Sequence, residues 1–264
     1  MSQISISVKK ANGDVMISKT SSNLVNMMYN YEYQPGDSIH LECSEYNVYM
    51  YIRLDDAMAA SFILLTEPFT FPIPLGEKHS VYSPKTFIGS LHILSARLAT
   101  AEEISAYKNL ACNVYDHQGN KSCFPHASAN VETRDEAAFA ARNAIDGFTT
   151  NDGHGEWPFG SWGINRRDDA EITIEFGRTV DVDKIVIFLR ADFPHDNYWK
   201  TVDFVCSDGS TLTVHLEKTE AGQTIMLNEA KKVGWIKMCN LIMSDESSPF
   251  PALTQLEIYG CDNR

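Results

Sequence analysis

Turn chemistry recurs along this chain at intervals that leave little room for helices. Asn12-Gly13-Asp14, Pro35-Gly36-Asp37, Leu75-Gly76-Glu77 and, much later, Asp208-Gly209 separate short apolar runs. Glycine, asparagine and aspartate supply the backbone angles of tight turns, and the runs between them are rich in β-branched and aromatic residues. "ISISV" alternates from Ile4, "NVYMYIRL" spans residues 47–54, and "SLHILSARL" ends at Leu98. Period-two alternation bounded by turns specifies strands that bury one face. The prolines of "EPFTFPIPLG" place that stretch at a sheet edge, because proline has no N–H to give to a ladder.

Residues 1–111 therefore read as a β-sandwich domain. It closes with one short helix at "TAEEIS", where Thr100 and Glu103 have the spacing of a capping box. Residues 112–125, "CNVYDHQGNKSCFP", are polar and aperiodic and read as a linker. Strands resume in residues 126–264. Ile172, Ile174 and Phe176 alternate with polar neighbours, "DKIVIFLR" is nearly continuous, and "VDFVCSDGSTLTVHL" is a hairpin turning at Asp208-Gly209. The expected fold class is all-β, two β-sandwich domains in tandem, which suits a chain of 264 residues.

A formal net charge of −13 disfavours nucleic acid as a partner, and basic residues occur singly or in pairs, so no polybasic patch suggests a membrane surface. No apolar run is long enough to span a bilayer, the longest being "AMAASFILL" at 57–65. The first residues lack the apolar core of a signal peptide, which predicts a cytoplasmic protein, or an extracellular one if a leader has been removed. Six scattered cysteines have no zinc-like spacing and read as free thiols, with a Cys112–Cys123 bridge as the alternative.

In the second half, "ASANVETR", "ARNAIDG", a tryptophan-bearing loop, "EFGRTVDVDKIVI" and a terminal "LTQLEIYG" follow one another in an order that resembles the discoidin-like, galactose-binding-like jelly roll of many carbohydrate-binding modules. The strings "NDGHGEWPFGSWGINRRDDAE" and "RADFPHDNYW" resemble a bacterial subgroup of such domains whose function is unsettled. The first half resembles no family in this way. The resemblance implies a jelly roll with its ligand in loops at one end. It also implies a structural calcium near "AIDG", here Asp146 with Thr149 or Asn151; Gln255 stands where that pattern has a glutamate, a weaker partner for a hard cation.

Aromatic and polar residues crowd the same loops. Trp157, Trp162 and Trp199, with Tyr198, are candidates to stack on sugar rings, and Arg166, Arg190, Asp192, His195 and Asn197 to hydrogen-bond hydroxyls or an acidic sugar's carboxylate, helped by Arg167 and Asp196. The competing reading has the tryptophans sealing the barrel while charges pair locally. Trp235, in a strand, is expected in the core. Asp152, His154, Glu156, Asp192, His195 and Asp196 could ligate a transition metal if their loops met, and Glu156 with Asp192 or Asp196 could form a glycosidase pair. No nucleophile elbow, phosphate loop or H-E-x-x-H motif is present. The favoured expectation is a non-catalytic protein that binds a glycan or oligosaccharide. The alternatives are an interaction or scaffold module, including a homodimer, and a glycan-active hydrolase or lyase.

Overall fold

A computed structural model describes residues 2–262. The first half forms two sheets. One is built from β1 (Gln3–Lys9), β2 (Val15–Ser22), β4 (Ser38–Cys43) and β7 (Phe69–Pro72), and the other from β3 (Leu24–Tyr29), β5 (Val48–Arg53), β6 (Ser61–Leu65) and β8 (His92–Leu98). Their orders are β2-β1-β4-β7 and, with a fifth strand described below, β6-β5-β8-β3. The alternation resolves as its period requires: Ile4, Ile6 and Val8 of β1, Val25, Met27 and Tyr29 of β3, and Met50 and Ile52 of β5 all point into one shared core. β7, the strand with the prolines, lies at a sheet edge.

The helix α1 (Ala101–Ser105) opens on the expected capping box: Glu103 N–H donates to Thr100 Oγ1 at 3.3 Å and Thr100 N–H to Glu103 Oε2 at 2.8 Å. The same glutamate holds Arg97 through both guanidinium nitrogens. Hydrogen bonding from Arg97, then from the Thr100 backbone, pulls its carboxyl down to about 2.

Residues 112–125 do not behave as a linker. After β9 (Lys108–Asn109), which joins the second sheet system, Val114 and Tyr115 enter the first core, and Tyr115 Oη donates to Ala59 O. β10 (Cys123–Phe124) then adds itself to β6 as the fifth strand. Asn113, Asp116 and Asn120 are polar yet buried, because they hydrogen-bond the turns from inside: Asp116 Oδ2 accepts from Ala127 N–H and Oδ1 from Asn120 Nδ2. All six cysteines are free, so the Cys112–Cys123 bridge is not formed.

The second half is the jelly roll. It comprises β11 (His126–Ala129), β12 (Trp162–Gly163), β13 (Ile172–Leu189), β14 (Trp199–Cys206), β15 (Thr211–His215), β16 (Gln223–Met243) and β17 (Ala252–Asp262), ordered β12-β17-β13-β16-β14-β15, with β11 also on β13. The two runs expected as separate strands around Ile172 and Asp183 are one long strand. Its register shifts between Glu175 and Val180, where Gly177 takes a left-handed φ of 68° and an added Cβ would strike Phe124 at 2.5 Å. Ile172, Ile174 and Phe176 are fully buried, and the 208–209 hairpin forms with Gly209 at φ 84°. Trp235 is only half-buried: Ile236 and Met238 take the inward positions, so strand parity puts the tryptophan on the opposite face. Among the described residues no helix is long and apolar enough to cross a membrane.

The two cores meet closely. Arg178 donates to Asp262 Oδ1 at 2.6 Å and lies over the Tyr49 ring, and Ala137 N–H donates to Glu77 Oε1.

Candidate functional site

A cavity of about 480 Å³ opens where β13 finishes and β17 begins. Its walls come from five segments apart in sequence: Thr133, Arg134 and Phe139 after β11; His154; Gly163 to Arg166, from the end of β12; Arg190 and His195 after β13; and Pro249 to Ala252, where β17 begins. Gly163 is required for this convergence, since a Cβ there would meet Thr133 Oγ1 at 2.7 Å. Asn165 and Arg166 both adopt left-handed backbone angles (φ 48° and 59°), and Asn165 N–H donates to Thr133 Oγ1 at 2.9 Å. The loop is thereby bent so that the exposed Arg166 leans back over the cavity.

Planar groups stack along one wall. His154 and His195 lie 4.2 Å apart at 17°, His195 and Phe250 5.3 Å apart at 17°, and the Arg166 guanidinium carbon sits 4.7 Å from the centroid of the Phe250 ring. Phe139 forms a second aromatic surface, with Arg134 at 5.7 Å and Arg190 at 5.8 Å from its centroid. Among the described residues no aspartate or glutamate lines the cavity. The carboxylates nearest to it pair with residues of its wall: Glu136 with Arg134, Asp196 with Arg190, and Asp192 with His154 Nδ1 at 2.6 Å. Among the described residues no carboxylate pairs with Arg166, whose guanidinium lies over the Phe250 ring and lines the cavity.

Three of the expected residues, Arg166, Arg190 and His195, thus meet at one site. The others are placed elsewhere. Trp162 and Trp199 are fully buried in the jelly-roll core, 6.3 Å apart, and Trp162 Nε1 donates to Val131 O; neither offers a face to a ligand. Trp157 is half-buried and packs edge-on against Phe148; its backbone N–H donates to Ser80 O in the first half of the chain, and its indole N–H is buried without a partner. Asn197 is buried and spends its amide on the backbone that carries Phe250: Nδ2 donates to Ser248 O at 2.7 Å, while Oδ1 accepts from Tyr198 N–H and Ser244 Oγ. Asp192 stands behind His154. Phe139, Phe250 and Arg134 complete the site with no local signal; the one hint is the "PFP" context of Phe250, which fixes a ring on a stiff, non-strand segment.

The metal expectations fare poorly. No three of Asp152, His154, Glu156, Asp192, His195 and Asp196 bring ligand atoms together within 4.8 Å. Both oxygens of Asp196 are engaged, by Arg190 and by Asp192 N–H, which also removes it from a glycosidase pair. The residues at the implied calcium position do not fit a hard cation. Asn151 turns its amide to donate to Leu189 O and Glu220 O, Gln255 Oε1 accepts from Gly147 N–H, Thr149 is exposed, and a buried guanidinium, Arg142, lies 3.7 Å from Asp146. At that distance no hydrogen bond forms, so burial outweighs the attraction of Arg142 and lifts the Asp146 carboxyl to about 7.

About half to three fifths of the chain is similar in fold to solved carbohydrate-binding modules. One is chitosan-binding module 1 of a chitosanase/glucanase from Paenibacillus sp. IK-5 (20% identity, 58% of this chain and 99% of that one, TM-score 0.41). Another is a family 32 module from C. perfringens NanJ, solved with galactose (20% identity, 50% and 91%, TM-score 0.39). A third is a Streptococcus pneumoniae fucose-binding module (18% identity, 58% and 97%, TM-score 0.39). No family model matches the chain, and no curated protein does.

Proposed function

We propose that the protein binds a glycan, without transforming it, in the cavity between Phe139 and Phe250. The observation that carries this reading is the pairing of each aromatic ring with a guanidinium around a concave space free of carboxylates. Ring surfaces and the prolines at 249 and 251 suit the apolar C–H face of a pyranose, and forked donors suit its hydroxyls. Arg166, exposed at the rim, is the donor best placed to reach a ligand, and a carboxylate-bearing sugar fits it best; Arg134, also exposed, is held by Glu136 through Nε and Nη2. Arg190, fully engaged with Asp196, forms the rigid floor.

Isothermal titration and chemical-shift mapping with neutral and uronate oligosaccharides test this. Arg166→Ala and Phe250→Ala should each weaken binding by ~10-fold or more, in line with the ~1–3 kcal/mol of a ring or charge-assisted contact, while the melting temperature stays near that of the parent. Binding that both variants retain in full would refute the assignment.

A further inference from the structure

The first domain holds a second cluster of chemistry, which the glycan reading does not use. Asp55 and Asp56 follow β5, His92 opens β8, and these two strands are hydrogen-bonded neighbours, so the ladder itself brings the three residues together. One ligand atom from each lies within 4.8 Å of the other two. We propose that Asp55, Asp56 and His92 bind a divalent cation of the zinc type.

His92 Nε2 lies 3.0 Å from Gly89 O, and a carbonyl oxygen only accepts, so Nε2 carries a proton. In the neutral ring Nδ1 is then a bare lone pair, and it points at Asp55 Oδ2 from 3.5 Å. Two other histidine–aspartate pairs in this protein close to hydrogen-bond distance, His126–Asp116 at 2.8 Å and His154–Asp192 at 2.6 Å. His92 and Asp55, the most deeply buried of the three pairs, stand apart instead. Their spacing is too long for a good hydrogen bond but close to the ~3.4 Å that separates two ligands on one tetrahedral ion with bonds of ~2.1 Å.

The surroundings are those of a held ligand set. A backbone carbonyl on the far nitrogen fixes the ring and its tautomer, as it does for metal-bound histidines generally. Asp55 is oriented through both oxygens, by Ala57 N–H at 2.8 Å and Phe87 N–H at 2.9 Å, and each oxygen keeps a further lone pair. Asp56 accepts from Ile93 N–H and is exposed, which leaves the cluster open to solvent on one side for ion entry. Independently, the Tyr33 hydroxyl is buried with no hydrogen-bond partner, and its ring packs 4.5 Å from that of His92. Two carboxylates and a neutral imidazole balance a dication in charge and suit a borderline metal better than calcium or magnesium, which prefer all-oxygen sets.

The full chain, stripped with chelator and dialysed against Zn²⁺, should retain one equivalent by elemental analysis that Asp56→Asn loses. Asp56→Asn, at an exposed position, should keep the apo melting temperature and weaken Zn²⁺ binding at least ~10-fold, the lower bound for disturbing a metal's supporting shell. His92→Gln should do the same, and if it fails to fold, Asp56→Asn decides alone. Because six free thiols could also take up zinc, Co²⁺ loading provides the second readout: visible ligand-field bands without thiolate charge transfer, absent in Asp56→Asn. No stoichiometric binding, a thiolate signature, or equal affinity in the parent and Asp56→Asn would overturn the proposal.

Discussion

Replacing Arg190 with alanine should destabilise the protein before it says anything about ligands. Asp196 is fully buried and takes three hydrogen bonds, two of them on Oδ1 from Arg190 (2.9 and 2.7 Å) and one on Oδ2 from Asp192 N–H. Arg190→Ala leaves a buried carboxylate with one donor and no counter-charge, a situation that costs ~3–5 kcal/mol. It also frees the Phe250 carbonyl, which Arg190 Nη2 holds at 3.3 Å, so the cavity wall loosens as well. Against a typical total of ~5–15 kcal/mol this is a large fraction, and at ~2–4 °C per kcal/mol the melting temperature should fall by roughly 6–20 °C. Urea unfolding followed by tryptophan fluorescence measures it directly, since Trp162 and Trp199 lie in the same core. The double variant Arg190→Met with Asp196→Leu removes both charges and should lose less than Arg190→Ala alone. If Arg190→Ala unfolds within ~1 kcal/mol of the parent, below the ~3–5 kcal/mol of a broken buried pair, Arg190 is not the structural floor described above, and any loss of glycan binding would then be a direct contact.

Asp146 gives the protein a pH signature. Burial raises its carboxyl from 3.8 to about 7 in the folded chain, so between those values the unfolded state releases a proton that the native state keeps, and stability falls as pH rises through this window. Asp146→Asn should cancel that loss, widening the difference between variant and parent by at most ~4 kcal/mol from pH 4 to 7 at ~1.4 kcal/mol per pH unit; a flat difference would mean that Asp146 is ionised in the native protein. Calcium should add no stability to the parent in the same titration, because Arg142 occupies the neighbourhood a cation would need. On the outer face of the edge strand β3, Met28 and Ile93 are paired across the ladder and more than half exposed (59% and 53%), an apolar strip suited to a second copy of the chain. Sedimentation should show a dimer that Met28→Glu dissociates, and a monomeric parent at high concentration would dismiss this contact.

What could be read from the sequence is what local physics determines. The turns at Gly13, Gly36 and Gly209 are legible because each requires a left-handed φ that favours glycine (89°, 89° and 84°), and the capping box is legible because its two hydrogen bonds span three residues. The cavity was legible only in part, since Arg166, Arg190 and His195 stand in polar loops while Phe250 lies 111 positions from Phe139 in a stretch with no periodicity. Composition also misleads in a consistent way. Trp162 and Trp199 lie among glycines and charges and read as surface rings, yet a two-residue strand opposite Leu253 and an indole bond to Val131 O carry Trp162 inward. Residues 112–125 read as a solvated linker for the same reason, and their asparagines and aspartate are instead buried against backbone groups. A polar side chain satisfied by water and one satisfied by a distant carbonyl look identical in one dimension. The difference between them is long-range, and so is the difference between a histidine in hydrogen-bond contact with its aspartate, such as His126 at 2.8 Å, and one that stands off, such as His92 at 3.5 Å. Candidate chemistry in this protein is therefore identified by the distances its polar groups keep, since residue type alone points to the loops between 152 and 196 and passes over the Asp55, Asp56 and His92 cluster.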